Sequence, residues 1–485
     1  MLSILYRFVR TQWASCITRL SLAWRAALSL IATGEPPEPL EPHPLTLEQR
    51  EQRKEDFISS IDGEAVCALA SRYNGQKPCR IVNSTQGGFN VCFFVDFYTT
   101  STTWVVKIAL EPAVHSVWTK LQSEVATMRY VQDNTSIPLP RIHAYGRSQL
   151  CKNTSTMQAF LILDYIHGRS LDIMTLIKAT QERRNHFYAE LIDILAQLRK
   201  LEFPMAGSLM PDPNGGLEPV IGQLLSITIN ELQIEGKRVP QSTHTSATRF
   251  AKQQHHLLSE TYRLPIEELS RETAELELFA LDALAKQIPN VFDSQHDNGP
   301  FVLTHTDLRC ANLIVDDDFH IQGVIDWEWA QTVPRQLFTP PTWITGHDVE
   351  SLRGVWLDLA PEFWSLLQAK GRASRDYNQR LEDWDFRQKL TLPVAQIFWH
   401  PSSLASVFYL FIYPELFRES RDKVVSEFFE RDENGTLRLE VKPRIDGSER
   451  YTQYLKENGL FVIEEYPQQL AEWVAKGHEL PGIRP

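Results

Sequence analysis

The stretch FVLTHTDLRCANLIVDDDFHIQGVIDWEWA, residues 301–330, decides the reading of this 485-residue chain. Phe301 to Leu303 is short and apolar and predicts a buried strand. The polar run that follows predicts a loop, Leu313-Ile314-Val315 a second strand, Asp316-Asp317-Asp318 a turn, and Ile321 to Trp327 a returning strand. Inside the loop, the spacing His305-x-Asp307-x-x-x-x-Asn312 sets a carboxylate where it can receive a hydroxyl proton. It also sets an amide oxygen where it can hold Mg²⁺. The hairpin brings Asp326 back beside Asn312, so that two oxygen ligands can share one hard cation. Loop-capping polar residues are the bland alternative. Against it stand the preceding strand, the adjoining hairpin and the second acid at the strand end, all of which phosphoryl-transfer chemistry requires.

A cleft for a nucleoside triphosphate also needs donors for its phosphates, and the front of the chain offers them. In Gln86-Gly87-Gly88-Phe89-Asn90, between two predicted strands, paired glycines let backbone N–H groups approach an anion. In Trp104-Val105-Val106-Lys107-Ile108 a lysine sits among apolar neighbours, which is costly unless it meets an anion. Glu124 shares a helical face with Leu121 and Met128 and is the expected partner of Lys107. A plain turn, a snorkelling lysine and a solvated glutamate are the corresponding structural readings.

Outward from these motifs, Leu47 to Tyr73 is expected as a helix closed by Asn74-Gly75, and Arg80–Asn83, Val91–Phe97 and Thr103–Ile108 as a small antiparallel sheet. A helix over about 113–132 follows, then a Pro-punctuated connection through Pro138 and Pro140, then a strand from Phe160 to Tyr165. Tyr188–Leu201 and Glu272–Ile288 are amphipathic helices. Met210 to Gly216 is a turn cluster, Gln241 to Gln254 a polar mobile loop, and Phe398 to Phe417 a buried core helix. A β-rich front joined by one short segment to a larger helical back predicts an α+β, two-lobed fold with a cleft between the lobes. The expected divisions are 1–34 leader, 35–46 Pro-rich linker, 47–165 nucleotide-binding lobe and 166–485 catalytic and acceptor-binding lobe.

Composition bounds the partners. Lys plus Arg number 49 and Asp plus Glu 61, a formal net charge of −12, so no general basic surface exists for nucleic acid. The acidic balance tilts weakly towards a cationic small substrate. Six separated cysteines without a C-x-x-C pair encode neither a zinc ribbon nor a disulfide framework, and a reducing compartment is expected. No transmembrane segment is expected. Residues 1–34 carry Arg7, Arg10, Arg19 and Arg25, no acid before Glu35, and one apolar helical stripe. That is the composition of a mitochondrial presequence, so the expected location is mitochondrial or cytoplasmic; docking on a membrane or a partner groove, or plain disorder, are the alternatives.

Taken in order, these motifs resemble the aminoglycoside phosphotransferase and choline-kinase-like small-molecule kinases, whose fold is related to that of protein kinases. The likeness runs from about residue 80 to 346 and includes Ile137-Pro138-Leu139-Pro140, Leu161 to Gly168 and Val324 to Ala330. The resemblance implies ATP and Mg²⁺ as cofactors and a hydroxyl of a small molecule as acceptor. It implies Gly87, Gly88, Asn90 and Lys107 at the phosphates, Glu124 holding Lys107, and Asp164, Tyr165 and Ile166 at the adenine-contacting hinge. Asp307 would be the catalytic base, with Asn312 and Asp326 on Mg²⁺. The chain departs from the family in having Thr306 after the motif histidine and Arg309 two residues after the aspartate. Arg309 is expected to reach the γ-phosphate or to brace the loop. Glu328 is read as touching a second metal or a cationic acceptor, or as an exposed acid between two packed tryptophans. The acceptor pocket is expected to draw on the carboxy-terminal helical region.

Two rival readings remain. A protein kinase is disfavoured because the phosphate loop lacks G-x-G-x-x-G, Trp327-Glu328 follows Asp326, and Ala360-Pro361-Glu362 matches a kinase motif only by letters. A silent kinase-like scaffold would not require Lys107, Glu124, Asp307, Asn312 and Asp326 together.

Overall fold

Residues 43–462 are described by a computed structural model, apart from 153, 293, 347–352, 375–376, 378–383, 385–389, 432 and 434. The expected leader and residues 35–42 of the linker lie outside the described residues. Leu45–Pro485 forms one structural unit, and the account that follows concerns it.

The expected first helix is two. Helix α1 (Leu47–Ser60) starts in a capping box built by Thr46 and Gln49, and α2 (Gly63–Tyr73) starts at Asp62, whose carboxylate accepts from Glu64 N. The break falls at Ile61 because that residue bridges Cys151, while the Asp62 amide donates to Leu150 O and the Lys152 amide to Ser60 O. A partner ninety residues away is invisible to local periodicity. Asn74 and Gly75, at φ 64°, close α2 as the spacing predicts.

Strands β1 (Cys79–Gln86), β2 (Asn90–Phe97) and β3 (Thr102–Ala109) form the antiparallel meander that alternation predicts. Helix α3 (Val117–Asn134) follows. The sheet then gains β4 (Ile142–Ser148), which lies in the stretch read as a connection, and β5 (Gln158–Asp164), giving the order β1-β2-β3-β5-β4. On β3, Trp104, Val106 and Ile108 point into a core closed by Val66, Leu69 and Ala70 of α2. Period two therefore turns Val105 and Lys107 to the opposite face, towards the cleft.

Behind the cleft the chain is mainly helical. Helices α4 (Gln181–Arg199), α5 (Ala247–Thr261) and α6 (Arg271–Val291) lead to strand β6 (Phe301–Thr304), all four residues of which are buried. Strands β7 (Leu313–Val315) and β8 (Ile321–Val324) pair Leu313 with Val324 and Ile314 with Gly323, the predicted hairpin. Helix α5 occupies part of the segment expected to be a mobile loop. Its start is fixed from afar: Asp297 takes the Thr248 amide at 2.8 Å and the Ser246 hydroxyl at 2.7 Å, and Phe250, Ala251, Leu257 and Leu258 are buried. The expected helix over 398–417 is also interrupted. Helix α7 (Thr391–Trp399) stops at His400-Pro401, and short turns, one of π type over Phe408–Ile412, carry the chain on to Leu416. Among the described residues no helix is long and apolar enough to cross a membrane.

Candidate functional site

Strand β3 delivers Lys107 to the cleft with 5% of its surface exposed. Its Nζ donates to Glu124 Oε1 at 2.8 Å and to Asp326 Oδ1 at 2.9 Å, and lies 3.5 Å from Glu328 Oε2. Burial alone would lower the ammonium pKa, but Asp326, Glu124 and Glu328 together raise it well above its ordinary value, so Lys107 stays charged. Glu124, 2% exposed, is pushed up by burial against the opposing pull of Lys107. The Lys107–Glu124 pair is thus the one the sequence predicts.

A second buried lysine is not. Lys120 sits one helical turn before Glu124 on α3, 3% exposed, and forms an ion pair with Glu328. It also donates to Asn90 Oδ1 at 3.2 Å and lies 5.5 Å from the centre of the Trp329 ring. Asn90 Nδ2 donates in turn to Glu328 Oε2 at 2.5 Å. Glu328 is therefore no exposed acid: it is 6% exposed and paired with Lys120. Burial would raise its carboxyl, yet Lys107 and Lys120 hold it down at about 2. The sequence signal was present in the i, i+4 spacing of Lys120 and Glu124.

Asn90, Glu328 and Lys120 tie the glycine loop to the loop after β8. Gly87 N donates to Asn90 O at 2.8 Å, and Phe89 meets Trp329 edge-on with ring centres 5.1 Å apart. Neither Gly87 nor Gly88 has positive φ, and a Cβ added at Gly88 would meet nothing within 4 Å. The fold itself does not demand these glycines; both line the cleft.

The residues of the 305–312 loop are held by contacts to the backbone of 325–329. His305 Nε2 bonds Ile325 O at 2.9 Å, and burial lowers the imidazole pKa. The Thr306 hydroxyl donates to Trp329 O at 2.9 Å. Asn312 Nδ2 donates to Asp307 O at 2.8 Å and to Asp307 Oδ2 at 3.1 Å, which leaves the Asn312 carbonyl oxygen as the free end of the amide. The Ile325 amide donates to Asn312 O at 3.0 Å, setting Asp326 beside Asn312. Asp326 has φ 61° and ψ 56°, a left-handed conformation that costs a non-glycine residue about 1–3 kcal/mol. Burial raises the Asp307 carboxyl pKa, opposed by Arg309, whose Nε lies 3.4 Å from Asp307 Oδ2. At the far wall, Asp164 takes the His143 imidazole at 2.5 Å, and Tyr165 packs edge-on against Phe94. Asp164, Tyr165 and Ile166 all line the cleft.

Two cavities meet at the 305–312 loop. One, of about 660 Å³, runs between the sheet and the helical lobe and is lined by Gly87, Gly88, Asn90, Lys107, Glu124, Asp164 to Ile166, Asp326 and Glu328. The other, of about 310 Å³, lies between residues 304–309, residues 338–343 and residues 396–406. Asp307 and Arg309 line both. The carboxylate of Asp326 and the amide carbonyl of Asn312 suit Mg²⁺, which is commonly bound by one or two carboxylates with phosphates supplying further oxygens. Among the described residues no cluster of three His, Cys, Asp or Glu offers an all-protein metal cage.

A small antiparallel sheet over a helical lobe, with a lysine–glutamate pair and a His-x-Asp-x-x-x-x-Asn loop facing across the cleft, defines a protein-kinase-like α+β architecture. The chain belongs to the phosphotransferase enzyme family, whose profile matches residues 93–335. It is 24% identical over 248 residues to clavilactone A biosynthesis cluster protein Y of Ampulloclitocybe clavipes, spanning 50% of this chain and 57% of that protein. The chain therefore matches little more than half the length of this curated relative. Among solved structures, aminoglycoside phosphotransferase APH(2'')-Ib with ADP bound is 14% identical, with a TM-score of 0.41, covering 80% of this chain and 99% of that one. Plasmodium vivax ethanolamine kinase is 13% identical with a TM-score of 0.41, covering 74% and 89%.

Proposed function

We propose that this protein transfers the γ-phosphoryl group of ATP to a hydroxyl group of a small molecule, with Mg²⁺ bound at Asn312 and Asp326. The observation that carries the reading is that Asp307 and Arg309 stand where two cavities join. A triphosphate in the larger cavity and an alcohol in the smaller one would have their reacting ends beside the same carboxylate.

In this reading Lys107, fixed by Glu124, holds the phosphates, and the amides at Gly87 and Gly88 cover them. Mg²⁺ held by Asn312 and Asp326 would neutralise charge as it develops on the phosphates. Asp307 orients the acceptor hydroxyl; its oxygen bonds to the γ-phosphorus, the bond to the β–γ bridging oxygen breaks, and ADP leaves. The hydroxyl proton passes to Asp307 and then to solvent. Because the transition state is loose, Asp307 needs position more than basicity. Arg309, 64% exposed in its side chain, is free to swing from Asp307 to the transferring oxygens.

The alternative of a protein kinase draws no support from Ala360-Pro361-Glu362. That triplet lies inside the helix Arg353–Ala373, where Glu362 makes a bidentate pair with Arg184 at 2.7 Å on both arms. A silent scaffold is separated by experiment. A ligand at 100 times its dissociation constant adds about 2.7 kcal/mol to folded-state stability. Mg²⁺-ATP should raise the melting temperature, Asp326→Asn should remove most of that rise, and Asp307→Asn should keep it while turnover falls by orders of magnitude. No rise in the wild type at millimolar nucleotide would end the reading.

A further inference from the structure

The smaller cavity has a lining that speaks to its occupant. Asp307 is its one carboxylate among the described residues, and the other formal charge there is the cation of Arg309. His400 lines the same space. Among the described lining residues a cationic ligand would meet one carboxylate offset by one guanidinium, and one that engaged Asp307 by an ammonium group would occupy the oxygen the reaction needs. Among the described residues, the lining of this cavity carries no excess of acid.

The walls are apolar and aromatic: Phe338, Trp343 and Trp399 stand with Leu195 and Leu198. One polar group is conspicuous. Gln396, on α7, lines the cavity at 3% exposure, and its Oε1 has no hydrogen-bond partner. A buried acceptor left unpaired is costly, and among the eight such atoms of the described residues this is the one on a residue that lines the cavity. An O–H donor on a ligand supplies the missing partner. The volume of about 310 Å³ is at the small end of the range for small-molecule sites, which is about 300–1,000 Å³.

We propose that the acceptor is an uncharged, compact alcohol with an aromatic or alicyclic body, held through a hydroxyl that donates to Gln396 Oε1 while a second hydroxyl faces Asp307. This rests on the phosphotransferase reading above and names the substrate class for it. The specificity wall is residues 338–343 and 396–406, which lie beyond the segment matched by the family profile.

The test uses the full chain with Mg²⁺-ATP and follows ADP release above the slow loss to water. The probes are arbutin and hydroxybenzyl alcohols as uncharged acceptors, kanamycin as a polycation and choline as a quaternary cation. Uncharged probes should raise the rate at least tenfold, and both cations should stay within twofold of the water rate. A larger kcat/KM for kanamycin or choline overturns the proposal. So does a lack of stimulation by every uncharged probe in protein whose melting temperature still rises with Mg²⁺-ATP, an outcome that leaves the phosphotransferase reading standing. If nucleotide gives no rise, that reading fails and the proposal with it.

A second arm uses Gln396→Met, close in size and without the oxygen. The acceptor KM should rise about tenfold, the ATP KM should stay unchanged, and the melting temperature should hold or increase because an unpaired buried atom is gone. A lower melting temperature with an unchanged acceptor KM would show that Gln396 serves the fold and would overturn its assignment.

Discussion

Glu328 lets the cohesion of the cleft be measured directly. In Glu328→Gln the carboxylate charge facing Lys120 and Lys107 is lost, while the shape of the side chain and the chance to accept from Asn90 remain. Two buried ammonium groups are then left with one acid fewer. The carboxyl is held at about 2 against an ordinary 4.5, and at 1.36 kcal/mol per pH unit this corresponds to about 3 kcal/mol of interaction. Removing one partner of a buried ion pair costs about 3–5 kcal/mol by mutational experience, which agrees. For a unit of roughly 440 residues, with an unfolding entropy of about 2.1 cal/mol/K per residue, the melting temperature should fall by about 4 °C. Calorimetry at neutral pH on four proteins closes the cycle: wild type, Glu328→Gln, Lys120→Met, and the double variant. Because the loss reflects an orphaned charge, the double variant should recover at least half of it. If the double variant is as unstable as the sum of the two single ones, Glu328 and Lys120 are not coupled and the account of the loop tether is wrong.

Two further outcomes are expected. Gly88→Ala should leave the melting temperature unchanged, since the added methyl meets open space, yet raise the nucleotide KM several-fold in steady-state assays by filling the approach to the phosphates; unchanged nucleotide affinity would remove that loop from the phosphate site. His255, partly buried with Nε2 bonded to Leu281 O at 2.8 Å, is held below its ordinary 6.5 by desolvation. The unfolded chain then takes up a proton near 6.5 that the folded chain accepts only at lower pH, so stability is lost as pH falls through 6.5, by up to about 1.36 kcal/mol per pH unit. His255→Gln should flatten that acid slope in melting curves between pH 7.5 and 5.5. An unchanged slope would clear His255 of the effect.

The parts legible in the sequence were those written in local periodicity and fixed spacing. Alternation in Trp104–Ile108 set Lys107 on the cleft face, and the His305 to Asn312 spacing with the Val324-Ile325-Asp326 return set the acids side by side. What escaped notice depended on partners distant along the chain. Ile61 breaks a helix because of Cys151, and Ser246 starts one because of Asp297. The strand Ile142–Ser148 was hidden because its polar residues find local use: His143 stacks on Trp104 at 3.8 Å and bonds Asp164. Lys120 shows the remaining difficulty. A lysine on a helix reads as solvated until the acid that buries it, here more than two hundred residues onward, is known to arrive.

The division of labour between the two walls at Asp307 has an evolutionary corollary. Lys107, Glu124, Asn312 and Asp326 are drawn from one continuous half of the chain, whereas much of the wall of the proposed alcohol site, residues 338–343 and 396–406, comes from a later stretch with a helix break at His400-Pro401. Descendants could trade that stretch for another, acquiring new clientele, while the machinery that handles phosphate is inherited untouched.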